Sequence, residues 1–248
     1  MSETEESSPG LRLPRPSDLL AAVGLLTSLP LAAPEPRDAA FGRAAPLFPV
    51  VGALVGAGLA GIEWMTPRTW PPVLSAALLI VLWETASRGG VRRRADAFGF
   101  TVVVAVAKLA ALTLLPVPRL LPLFFAPLLG AWSIVVLAVG ARDAAAPGRK
   151  LAPGVLFNEF AVASLATFAV VFDLANGLGS FVVVVAAANL IALRFYWHET
   201  AGGISTTSLV RGSQLIVLAP AAPILHLLKH RVEFLGVPRK ARSRRSRR

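Results

Sequence analysis

Cysteine is absent from the 248 residues and charge is scarce: 16% of positions are Asp, Glu, Lys or Arg, with 14 acids against 25 bases. Without cysteine there are no disulfides and no thiolate metal centres. Histidines occur at 198, 226 and 230, too scattered for a zinc site, and His198-Glu199 does not open an H-E-x-x-H helix because position 202 is glycine. What fills the chain instead is apolar. By composition 55% of residues are hydrophobic, and several runs approach the length needed to cross a hydrocarbon core of about 30 Å. This predicts an all-α, polytopic helical membrane protein. A net charge of +11 suggests nucleic acid at first sight. Polytopic proteins, however, collect arginines in their cytoplasmic loops, so no nucleic-acid partner is expected.

Residues 1–16, polar and broken by prolines, read as a disordered N-terminal arm; they lack the basic start and apolar core of a signal peptide. Residues 17–230 form the transmembrane helical domain, and 231–248 a basic tail. Six runs are expected to span: roughly 44–65, 70–87, 97–116, 120–141, 155–172 and 177–196. Two further apolar segments are weaker. Residues 18–33 are short, and 209–228 contain Arg211, Pro220 and Pro223, which suits a kinked span or a re-entrant segment. With about six spans and two shorter segments, 22 of the 25 lysines and arginines fall on one side and two, Arg68 and Arg119, on the other. That asymmetry places both termini in the cytoplasm of a multi-pass cell-membrane protein, with the arginine-rich tail held against anionic lipid.

One consequence is that LLTSLPLAAPEPRDAAF, SRGGVRRRADAFGF, VGARDAAAPGRKLAP and HETAGGISTTSLVRG should share the cytoplasmic face, where any active site would be built. The polar residues inside the runs have modest readings. Glu84 stands four positions before Arg88, the spacing of a helical ion pair. Lys108, in mid-span, should face the bundle interior or snorkel. Asn158 and Glu159 suit a helix start, and Asn189 a hydrogen bond between helices. Gly52 and Gly56, with Gly58 and Gly61 beyond, suggest close helix packing.

The order of LLTSLPL at 25–31, FPVVGALVG at 48–56, Gly89-Gly90, AFGFTVVVAVAKLAAL at 97–112, APLLG at 126–130 and AGGISTTSL at 201–209 resembles the adenosylcobinamide-GDP ribazoletransferases, also called cobalamin 5′-phosphate synthases. The resemblance implies a late step of cobalamin biosynthesis. A hydroxyl of α-ribazole, or of its 5′-phosphate, attacks cobinamide-GDP at the phosphate attached to cobinamide, and GMP leaves. Magnesium would be the cofactor, held by acids that the family carries in an Asp-rich run after the Gly-Gly pair and in a later G-D-T motif.

This chain departs from that pattern. After Gly89-Gly90 it runs directly into VRRRADAFGF, leaving Asp96 as the one acid there. Ser205-Thr206-Thr207-Ser208 stands at the later motif, and Gly130-Ala131 where Gly-Arg is usual. Arg92, Arg93 and Arg94 are candidate phosphate-binding residues, or a topology-fixing loop; catalytic residues are not assigned, and no metal site is expected. Three readings follow. The chain is an active ribazoletransferase using magnesium, or a catalytically silent membrane homologue that binds a cobamide intermediate or partners an active enzyme, or a small transporter. Whether it is an enzyme stays open between them. Membrane lipids are the expected partners throughout, with cobinamide-GDP and α-ribazole under the first two.

Overall fold

The computed structural model describes residues 15–29, 37–67, 69–87, 98–115, 119–144, 157–175 and 178–218. In chain order these hold α1 (Pro16–Leu26), α2 (Arg37–Ala44), a 3-10 turn at Ala45–Leu47, α3 (Phe48–Met65), α4 (Pro72–Ala86), α5 (Phe98–Leu114), α6 (Leu120–Ala138), α7 (Phe157–Ala175), α8 (Leu178–Ala201) and α9 (Thr206–Leu218). Each of the six runs expected to span contains a helix among its described residues. Among the described residues four stretches are long and apolar enough to cross a membrane: Phe41–Met65, Leu120–Ala138, Phe157–Leu174 and Phe181–Ala201. With 15 residues, α4 rises about 22 Å at 1.5 Å per residue, less than the roughly 30 Å core. The described apolar part of α5, Val102–Leu114, is shorter still. Among the described residues, length and composition thus support four crossings plus shorter apolar helices, where the sequence suggests about six.

Proline sets several of the helix starts, because its missing N–H falls where no intrahelical partner exists and its fixed φ suits the first turn. Pro16, Pro49 and Pro72 stand in the first turns of α1, α3 and α4. The start of α1 is tied further: Asp18 Oδ2 accepts the Arg15 backbone N–H at 2.8 Å, and Asp18 Oδ1 lies 3.5 Å from Arg43 Nε. The segments expected to be shallow, 18–33 and 209–228, contribute Ala22 from α1 and Leu209 and Ile216 from α9 to the main core. Residues 1–14, 88–97 and 219–248 lie outside the described residues, and with them most of the expected arm, the whole arginine triplet, Asp96, Pro220, Pro223 and the basic tail.

The centre of the bundle is α6, buried nearly continuously from Pro127 to Val135. It runs antiparallel to α3, and small residues let the two backbones meet. A Cβ on Gly52 would lie 2.6 Å from the Pro127 carbonyl oxygen, and one on Gly56 would collide with the Phe124 carbonyl. Close packing expected at Gly52 and Gly56 is therefore present. Gly58 and Gly61 face open space, so the expected contact does not extend to them; α3 turns that face away from α6. On the other side of α6, Trp132 Nε1 donates to Ser164 Oγ at 3.0 Å, and its ring meets Phe168 edge-on, which fastens α7. Arg194 Nη1 donates to the Val136 carbonyl at 3.1 Å and fastens α8.

Candidate functional site

Contacts between helix termini define two ends of the bundle. Near one, Ser28 meets Ala86 and Arg142 meets Ile204; at the other, Arg119 meets Pro72 and Glu63. At the first, the loop end, backbone bonds tie the segment after α1 to the last turn of α4, just before Ser87, and join the segments 139–153 and 198–212 to each other. The Ser28 N–H donates to the Ala86 carbonyl at 2.9 Å, which joins the chain after α1 to the last turn of α4. Thr27 closes α1 by donating its Oγ1–H to the Val23 carbonyl.

The second pair is a backbone bridge between Asp143 and Ile204. The Ile204 N–H donates to the Arg142 carbonyl at 2.9 Å, and the Ala144 N–H to the Ile204 carbonyl at 3.4 Å. The Gly-Gly pair at 202–203 makes this approach feasible. Gly202 adopts φ +65°, and a Cβ on Gly203 would lie 2.6 Å from the Arg142 carbonyl oxygen. Immediately after it, Ser205 Oγ accepts the Ser208 N–H at 3.1 Å, satisfying one of the free donors at the start of α9. The AGGISTTSL stretch is thus a docking turn followed by a helix cap.

Charged groups behind this end are engaged in pairs. Glu84 Oε1 accepts from Lys108 Nζ at 2.7 Å, and the same ammonium lies 4.1 Å from the centre of the Trp83 ring. Lys108 faces the bundle interior, as expected, and joins α5 to α4. Arg88, the anticipated partner of Glu84, is outside the described residues. Arg211 sits over the Phe100 ring at 5.6 Å, linking α9 to α5. Glu159 occupies the first turn of α7, as expected for an acid at a helix N-terminus. Asn189 departs from expectation: its amide donates to the Val185 carbonyl of its own helix and is exposed. An outward-facing asparagine can satisfy a donor on the carbonyl four residues back, without a neighbour.

Two groups of interior polar residues were not singled out from the sequence. At the opposite end Arg119 is fully buried, with its guanidinium donating to the Pro72 carbonyl at 3.2 Å and to Ser75 Oγ at 3.4 Å, and with Glu63 Oε1 4.0 Å from Nε. At the loop end Gln214 is buried on α9. The available signal was weak: a lone acid in FPVVGALVGAGLAGIEWM and a lone amide in SLVRGSQLIVL.

Magnesium needs oxygen ligands, usually carboxylates that converge with substrate phosphates. Among the described residues no three His, Asp or Glu gather where a metal could be held. Asp18 pairs with Arg43, Glu63 lies beside Arg119, and Glu84 binds Lys108. The described donor set does not fit the ion, and no chemical step is derived through it.

Residues 18–90 match the sequence model of the family described as cobalamin-5-phosphate synthase. An adenosylcobinamide-GDP ribazoletransferase of Pseudomonas paraeruginosa is 44% identical over 72 residues, a stretch covering 28% of this chain and 28% of that protein. The chain therefore spans little more than a quarter of the length of the curated relative it matches. No solved structure matches. The family match runs from Asp18 in the first turn of α1 through α4 and ends at Gly90, two positions before the arginine triplet.

Proposed function

We propose that this chain, whose residues 18–90 carry the sequence of the cobalamin-5-phosphate synthase family, is a membrane-embedded relative of the ribazoletransferases that binds cobamide intermediates without transferring them. The observation that carries this reading is the dispersal of the described carboxylates, three of which stand beside cations. Phosphoryl transfer depends on positioning and on neutralising charge at the phosphates, and the family does this with acid-held magnesium. Here the Gly-Gly pair is followed by Val91 and then three arginines. Arg92, Arg93 and Arg94 can grip a diphosphate through charge-assisted hydrogen bonds, but they neither hold a cation nor take a proton from an attacking hydroxyl.

In this reading the loop end faces the cytoplasm, the side favoured by lysine and arginine placement. The ligands are cobinamide-GDP and, more weakly, α-ribazole. An active membrane transferase is the natural protein partner for such a chain. A second reading, an active ribazoletransferase using magnesium, is favoured by the 44% identity of the matched segment. Protein in lipid nanodiscs, given magnesium, cobinamide-GDP and α-ribazole, separates the two. The binding reading expects no GMP above background, with cobinamide-GDP held more tightly than cobinamide and without need of magnesium. Magnesium-dependent GMP release establishes the second reading, and absence of binding to either corrinoid removes both.

A further inference from the structure

Asn189 stands midway along α8, a helix of 24 residues. About 17 Å of helix separates it from either end, which puts it near the centre of a hydrocarbon core roughly 30 Å thick. The side chain is nevertheless exposed, on the same helix as the exposed Phe181, Val184 and Ile191. One amide N–H donates to the Val185 carbonyl at 2.8 Å, and among the described residues Asn189 makes no other hydrogen bond. Its Oδ1 and its second N–H therefore face outward without a partner. Lipid tails offer neither donor nor acceptor, so an amide left open at this depth is costly. Ala188 and Ala192 are exposed too, one turn apart on the side of α8 that carries Asn189. A pair of small residues four positions apart lets the backbone of another helix come close.

We propose that this face of α8 pairs with the same face of a second copy of the chain, about a two-fold axis along the membrane normal, with the two Asn189 amides hydrogen-bonded to each other. Copies inserted in the same orientation present each residue at the same depth, so a parallel pairing sets Asn189 opposite its own counterpart. What the amide has left to offer is one donor and one acceptor, a self-complementary set: each Oδ1 accepts the free N–H of the other. A different helix would need a polar group placed at that depth, whereas a second copy supplies it by symmetry. Lipid headgroups lie too far along the helix to reach it. The surface is independent of the cobamide reading above, since it rests on α8 alone.

The test is sedimentation equilibrium of the full chain in density-matched micelles over a range of detergent-to-protein ratios. We expect a reversible monomer–dimer equilibrium. Asn189→Leu, which makes the face wholly apolar, should weaken the dimer about tenfold, the loss expected for a reciprocal pair of hydrogen bonds between helices in a membrane. Melting of the variant should match the wild type in dilute micelles, because Asn189 joins α8 to no other helix of its own chain. A second measurement needs no change at Asn189. The chain has no cysteine, so Ala192→Cys introduces a single thiol, and mild oxidation in phosphatidylcholine vesicles should give a disulfide-linked dimer. Leu54→Cys, on an exposed face of α3, should give none. A monomer at every ratio overturns the proposal, as does a dimer that Asn189→Leu leaves unchanged. Equal crosslinking through positions 54 and 192 also overturns it.

Discussion

The two ends of the bundle are held together by different chemistry. At the end carrying Arg119, one fully buried guanidinium reaches three helices: it begins α6, donates to the first turn of α4 and lies beside Glu63 of α3. At the loop end, backbone meets backbone through Ser28 and Ala86 and through the bridge between Asp143 and Ile204, with small residues allowing the approach. A buried ion cluster gives one high-stakes joint whose failure is expensive. Backbone bridges and caps are each modest, so that end can be altered piece by piece. The contrast fits the division of labour inferred for the chain, since the family's sequence landmarks lie towards the loop end.

The largest effect should come from breaking the ionic joint. Arg119→Met strands the Glu63 carboxylate, whose two oxygens have no hydrogen bond even in the wild type, and the expected loss is about 3–5 kcal/mol, the usual cost of removing one partner of a buried pair. Adding Glu63→Leu should recover most of that loss, because replacing both partners with apolar groups removes the stranded charge. Reversible unfolding in mixed micelles measures both. A single-variant loss below about 1 kcal/mol would mean that the guanidinium is not the joint described here, and the contrast between the ends would collapse.

Next in size is the loop-end bridge. In Gly203→Ala the new Cβ would lie 2.6 Å from the Arg142 carbonyl oxygen and 3.1 Å from the Ala144 nitrogen, both backbone atoms that cannot rotate away. Overpacking of this kind costs about 1–3 kcal/mol. The damage should stay local, with faster hydrogen exchange at Ala144 and Ile204 and unchanged exchange around Arg119. Loss of protection at both ends alike would show that the ends are one cooperative unit.

This asymmetry also explains what the sequence revealed. Helices follow from runs of apolar residues, so the six strong runs and the close approach at Gly52 and Gly56 are legible from local pattern alone. Partnerships depend on how each helix is turned and which neighbour it meets. Lys108 could be assigned to the interior because lipid penalises it, but nothing local names Glu84, 24 positions earlier, as its acceptor. Glu63 and Arg119 lie further apart in sequence and at two different helix termini, and only the antiparallel contact of α3 with α6 brings them together. Gly58 and Gly61 misled for the same reason: small residues permit close packing, yet helix rotation decides which of them use it. The cleft between α1, α3, α4, α6 and α9 was illegible because its walls come from five helices.

The smallest expected effect probes how the loop end sets the direction of α9. Ser205 stands just before that helix and accepts the Ser208 N–H at 3.1 Å, while the two hydroxyls lie 3.0 Å apart. Ser205→Ala removes the acceptor and should cost about 1 kcal/mol, the ordinary value for losing an N-cap. Ser205→Asp restores a cap acceptor and adds a negative charge at the positive end of the helix, which favours it by about 0.3–1 kcal/mol when partly exposed. The aspartate variant should therefore match or exceed the wild type in unfolding free energy, while the alanine variant falls below it. If alanine and aspartate behave alike, Ser205 does not act as a cap, and α9 is held by its packing, with Gly212 against Leu137 of α6 and Trp197 of α8.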